Sequence, residues 1–132
     1  MPSAATDRVD LLFRALSDRT RLRILSLLRG RKELCVCDLV HVLGLPQAKV
    51  SRHLASLRRA GLVAGRRREQ WMHYRLLPPR SRVHGKLIEC LDDCLREVPL
   101  LRADRKHVSR CGQLVATACS ARNGPGGSDV QA

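Results

Sequence analysis

Aromatic side chains are almost missing from this 132-residue chain, in which Phe13, Trp71 and Tyr74 stand alone. A single-strand nucleic-acid binder needs several rings on which bases stack, so the shortage tells against that class. Acidic side chains are scarce as well: 12 against 25 lysines and arginines give a net charge of +13, which points to an anionic partner. No apolar run is long enough to span a bilayer, and the polar start Met1 to Thr6 does not resemble a signal peptide. No membrane partner and a cytosolic location are therefore expected. In a reducing compartment six cysteines read as metal ligands, redox thiols or small core residues before they read as structural disulfides.

One small domain with a modest core is expected at this length, and pairing through a long helix would add to it. Val9, Leu12, Phe13 and Leu16 make an i, i+3, i+4, i+7 stripe, so a first helix starts near Thr6 and ends before Ser17. Ser17 or Asp18 caps a second helix carrying Leu22, Leu25 and Leu28, which stops at Gly30. Arg19, Arg21 and Arg23 on it read as an exposed charged face.

The most informative stretch runs from Glu33 to Leu77. Cys35 to Leu43 forms a short helix, Gly44 makes a tight turn, and a second helix begins at Pro46 and ends at Gly61. Val50, Leu54 and Leu57 give this second helix one apolar stripe, leaving Gln47, Lys49, Ser51, Arg52, Ser56 and Arg59 toward solvent or along its edges. His53, beside the stripe, reads as packed or DNA-facing. Helix, glycine turn and helix with a basic outer face is the helix-turn-helix arrangement, whose second helix enters the major groove. Leu62 to Arg67 and Trp71 to Leu77 then read as two strands with Arg68, Glu69 and Gln70 at the bend. A hairpin carrying Arg66, Arg67 and Arg68 beside such a motif is a wing suited to phosphates or the minor groove. The fold class is thus mainly α (α+β): a winged helix-turn-helix with a two-stranded wing and a C-terminal dimerisation helix.

That helix is read from Ser81 to Val98, bounded by Pro99, with Val83, Leu87, Cys90, Leu91, Cys94 and Val98 on a broad apolar face suited to pairing about a two-fold axis. The domain boundaries follow: residues 1–99 bind DNA and dimerise, 100–122 form a C-terminal helical segment from about Asp104 that could supply metal ligands, and 123–132 have the composition of a disordered tail.

Three ordered motifs, D-R-T-R-L-R-I-L (Asp18 to Leu25), E-L-C-V-C-D-L (Glu33 to Leu39) and S-R-H-L-A-S-L-R-R-A-G-L-V (Ser51 to Val63), resemble the ArsR/SmtB family of metal-responsive winged-helix repressors over roughly Val9 to Leu77. The resemblance implies a homodimeric repressor, not an enzyme, that holds double-stranded operator DNA when metal-free and releases it when a metal or metalloid binds. It also implies that Cys35 and Cys37 are ligands, since arsenic, antimony, cadmium and lead members place thiols in this box. The third cysteine of the arsenic-responsive pattern is replaced by Val40, and the N-terminal arm lacks the cysteines of the cadmium and lead pattern. Nor is the Asp-X-His pattern of the zinc sensors present: Asp92-Asp93 is followed by Cys94, and His84 stands apart. His41 and His107 read as surface residues.

Two residues apart on a regular helix, Cys35 and Cys37 would point about 200° away from each other, so a shared ion requires distortion. Placement in the first turn would lower their thiol pKa values and let the turn open. Cys111 is the first choice for a third ligand, Cys119 the second, and Cys90 and Cys94 read equally well as small hydrophobes in the dimer seam. Three thiolates favour trivalent arsenic or antimony as inducer, with cadmium or lead the alternative. The competing readings are a thiol-redox enzyme using Cys35 and Cys37, and a DNA-binding repressor triggered by their oxidation.

Overall fold

Helix ends in this chain are fixed by particular side chains. In the computed structural model, which describes residues 4–108, α1 (Ala4–Leu16) is followed at once by α2 (Arg19–Arg29). The Asp18 carboxylate caps α2, accepting the Arg21 N–H at 3.0 Å, and Gly30 closes its C-terminus. Arg21 turns back to donate to the carbonyls of Ala15 (2.8 Å) and Arg14 (3.0 Å) at the end of α1, the second of which also accepts from the Ser17 N–H and hydroxyl. Arg19 is exposed as expected, whereas Arg21 serves this corner and Arg23 is drawn into an ion pair described below.

Next come β1 (Leu34–Cys35), α3 (Val36–Leu43), α4 (Gln47–Arg59), β2 (Val63–Arg68), β3 (Trp71–Leu76) and α5 (Arg82–Asp93). Gly44 ends α3 with φ 66°, and Gly61 follows α4 with φ 78°, left-handed conformations that favour glycine. The expected hairpin is present, with Arg68 opposite Trp71 across a two-residue turn, and it gains a third strand. β1 pairs antiparallel with β3, Leu34 opposite Tyr74 and Cys35 opposite His73, so the sheet order is β1-β3-β2.

Ile24, Leu25, Leu39, Val50, Leu54, Leu57, Leu62 and Tyr74 are buried in one continuous core where α2, α3, α4 and the sheet meet. The apolar stripe of α4 is thus its inner face, which fixes how the opposite face is presented. Gly65 lies against the ring of its cross-strand partner: a Cβ there would sit 2.8 Å from Tyr74 Cε1 and 3.1 Å from Met72 Cε. Gly65→Ala should destabilise the protein by about 1–3 kcal/mol through overpacking, seen as a lower denaturation midpoint at unchanged slope.

The long helix expected over Ser81 to Val98 is shorter. α5 ends at Asp93, with Cys94 as its C-cap, and a further helix, α6, begins at Pro99 and is described to residue 108. Pro99 starts a helix rather than merely stopping one, since its missing N–H has no partner to lose in a first turn. Asp104 is buried on α6 and receives two bonds from Arg23, at 2.7 and 2.9 Å, while Arg105 donates to the buried Ser26 at 2.9 Å. These contacts and the buried Leu101 and Val108 fasten α6 to the domain. The tail 123–132 and most of the expected segment 104–122 lie outside the described residues. Among the described residues, no helix is long and apolar enough to cross a membrane.

Candidate nucleic-acid interface and thiol box

With Val50, Leu54 and Leu57 inward, α4 presents Ala48, Lys49, Arg52 and Arg59 as exposed residues, with Gln47, Ser51 and Ser56 half-buried beside them. Ala48 and Ala55 also lie on or near the outward side. Reading for polar groups alone passed over them, although small apolar side chains there permit close approach and contact with a thymine methyl. His53 faces sideways toward α2, its Nδ1 3.5 Å from an Arg21 nitrogen and 3.7 Å from Asp18 Oδ2. Burial pushes its pKa below the ordinary histidine value, with Asp18 opposing the shift and Arg21, Lys49 and Arg52 adding to it.

Strand alternation puts Arg66 and Arg68 on one face of the wing and Arg67 on the other. Arg66 Nε and Arg68 Nη1 each donate at 2.9 Å to the carboxylate of Glu33, the residue just before β1. His73 Nδ1 is 3.5 Å from the same carboxylate. Partial burial would raise the Glu33 pKa, but the bonds from Arg68 and Arg66 outweigh it and hold the carboxyl below its usual range. The pairing of Glu33 with the wing was not read from the sequence, since its only signal was the i, i+2 spacing of two arginines.

The thiol box is built where β1 passes into α3. Cys35 is the N-cap residue, in an extended conformation, so it is off the helix and the opposing-direction constraint of a regular helix does not apply to it. Its sulfur accepts the Cys37 N–H at 3.4 Å, while Asp38 accepts the Cys35 N–H at 3.1 Å. The expected lowering of the thiol pKa is not found for Cys35. It is 7% exposed, and burial pushes its thiol up to about 11, with the hydrogen bond from Cys37 opposing and the charge of Asp38 reinforcing the rise. Desolvation has overcome the helix terminus. Cys37 is half-buried and disulfide-bonded, whereas Cys35 is a free thiol, so the two are not bonded to each other.

A family model described as bacterial regulatory protein, arsR family, matches residues 18–64. Over 86 residues the chain is 46% identical to the arsenical resistance operon repressor of Escherichia coli, covering 65% of this chain and 74% of that protein. The chain belongs to the arsR family. This ArsR-family chain is also 52% identical over 68 residues to the arsenic resistance transcriptional regulator ArsR1 of Pseudomonas putida, covering 52% of this chain and 53% of that one. It thus spans about half the length of that relative. Among solved structures it is similar to the AntR antimony-specific transcriptional repressor, with TM-score 0.57, 32% identity and coverage of 72% of this chain and 83% of that one. A homodimeric winged helix-turn-helix DNA-binding domain of Mycobacterium bovis gives TM-score 0.59 at 28% identity, covering 73% and 89%. The family is one of DNA-binding regulators rather than an enzyme class.

With Cys37 reduced, the ArsR-family box would offer two thiol sulfurs, soft donors that suit a thiophilic ion, but two do not complete a site. Among the described residues no three His, Cys, Asp or Glu side chains gather into a metal-holding group. Cys90 and Cys94, one turn apart at the end of α5, are exposed free thiols. Cys111 and Cys119 lie outside the described residues. α6 nevertheless brings the chain back over the box helix: His107 and His41, both exposed, face each other with ring centroids 5.4 Å apart, and Val108 is buried.

Proposed function

We propose that the protein is a cytosolic, homodimeric transcriptional repressor that binds operator DNA through α4 and the wing and releases it when trivalent arsenic or antimony binds its cysteines. One observation carries this reading: Cys35 belongs at once to the strand paired with wing strand β3 and to the cap of α3, the first helix of the helix-turn-helix. Drawing its sulfur from that position breaks the Cys37 N–H contact and strains the β1–β3 pairing. The disturbance reaches the Gly44 turn and the wing together, so inducer and DNA disfavour each other reciprocally.

Gln47, Lys49, Ser51 and Arg52 would meet base edges and phosphates, with Ser56, Arg59 and the wing residues Arg66, Arg67 and Arg68 on the backbone. The position of His53 suits it to holding α4 against α2. Cys111 is the proposed third ligand. It follows Val108 by three residues, a reach of at most about 10 Å, and the His41 contact puts the start of that reach one helical turn from Cys37. Cys119 is the second choice, then Cys90 and Cys94. Dimerisation, expected through the C-terminal helix, is supported by the homodimeric Mycobacterium domain; Leu91 of α5 packs into the protein's own core, and the exposed Phe13 and Leu11 add α1 to the proposed pairing surface.

The raised Cys35 pKa supports a metalloid over cadmium or lead. Trivalent arsenic, present as a hydroxide, condenses with neutral thiols and expels water with no net proton released, whereas a divalent cation must displace a proton from each thiol. Under reducing conditions, arsenite should release DNA about equally well at pH 6.5 and pH 8, while any effect of cadmium should strengthen roughly tenfold or more per pH unit. DNA affinity measured against arsenite, antimonite and cadmium tests the proposal. Indifference to all three would end it, and release by peroxide alone would favour oxidation as the trigger.

A further inference from the structure

The proposed wing has a feature that DNA binding alone does not require. Two of its three consecutive arginines are already held by a carboxylate within the same protein, at 2.9 Å each. The partners are unequal: the side chains of Arg66 and Arg68 are 61% and 57% exposed, whereas Glu33 is 15% exposed. Each guanidinium donates to Glu33 through one nitrogen only, leaving its other N–H groups available. Such solvent-screened pairs are individually weak, and an incoming phosphodiester offers the same single negative charge shared over two acceptor oxygens.

We infer that Glu33 acts as an internal stand-in for a DNA phosphate, occupying Arg66 and Arg68 in the free protein and giving them up to the duplex. Glu33 thereby sets a ceiling on the affinity of the wing. It stands two residues before Cys35, at the head of the strand that joins box to wing, so the arginines and the thiol box are held by one short piece of chain. The inference rests on the DNA-binding reading above and adds to it the regulation of the wing.

The test is a mutant cycle on a random-sequence duplex, comparing wild type, Glu33→Gln, Arg66→Ala/Arg68→Ala and the triple variant. Glu33→Gln keeps the shape and removes the charge. It should bind about three- to tenfold tighter at low salt, as expected for freeing two exposed pairs, and the gain should shrink as salt screens it. The gain should vanish in the Arg66→Ala/Arg68→Ala background. If the double arginine variant binds more weakly than wild type but Glu33→Gln does not tighten binding, the exchange is overturned and the wing reading stands. If the double variant binds like wild type, the wing reading falls and takes the exchange with it. Arginine Nε–H resonances of the wild-type protein supply a check independent of any variant's folding: those of Arg66 and Arg68 should shift on adding duplex, and no shift overturns the inference.

Discussion

Cys35→Ser will still bind DNA but will no longer be released by arsenite. The substitution separates the two properties because of where Cys35 sits. As the N-cap of α3 it accepts a hydrogen bond from the Cys37 N–H, and serine accepts that bond better than a thiol, being among the preferred N-cap residues. The helix start and the β1 pairing with His73 should therefore survive, and with them the seating of α4. The only soft donor on the strand side of the box is removed. Loss of the coupling between inducer and DNA corresponds to roughly 5- to 150-fold in the arsenite-induced change of DNA affinity. Anisotropy of labelled duplex DNA, with and without arsenite in reducing buffer, measures it. Retained release in Cys35→Ser would move the site to the later cysteines.

The second large effect is on thiol reactivity. At pH 7.5 a thiol of pKa about 11 is ionised to only about 3 parts in 10,000, against about 3 in 100 at the ordinary value of 9.0. The greater intrinsic nucleophilicity of a more basic thiolate recovers about a factor of ten of that hundredfold deficit. Roughly tenfold slower alkylation is the net of these two effects, and burial at 7% exposure slows it further. In fully reduced protein, iodoacetamide should modify the exposed Cys90 and Cys94 well before Cys35, as read by mass spectrometry of the peptides. The Cys35 rate should climb about tenfold per pH unit toward pH 11. The same shift carries a stability consequence with a definite sign. Between about pH 9 and 11 the folded protein keeps a proton on Cys35 that the unfolded chain gives up, so the fold weakens as pH rises through that window. Alkylation of Cys35 as fast as of Cys90 would mean that the box is open in solution.

Much of this molecule could be read in its residues, and the failures share a cause. Asp18, Gly30, Gly44 and Gly61 mark boundaries because capping and left-handed turns are local chemistry, so α2, α3 and α4 were placed to within about a residue or two. β1 was not seen, because two residues have no period and their pairing is decided by a strand elsewhere. The break after Asp93 was hidden because Leu95 and Val98 prolong the apolar rhythm of α5, and Pro99 reads equally well as the end of one helix or the start of another. At the site, the helix start at the box was legible, but the sign of the Cys35 shift was not. A sequence shows proximity to a helix N-terminus, whereas the core that closes over the sulfur is assembled from several elements. The ties from Arg23 to Asp104 and from Glu33 to the wing were invisible for the same reason.

The sheet order has a consequence for how the protein matures. The β2–β3 hairpin closes across a two-residue turn, but Leu34 meets Tyr74 forty positions further along (74 minus 34). Closing that large loop is slow relative to zipping the hairpin. A nascent chain emerging from the ribosome can therefore form its helix-turn-helix while the outer strand beside Cys35 is still unpaired. The Cys35 sulfur gains the cover of β3 only after synthesis has passed residue 74, later than the helix-turn-helix whose first helix it caps.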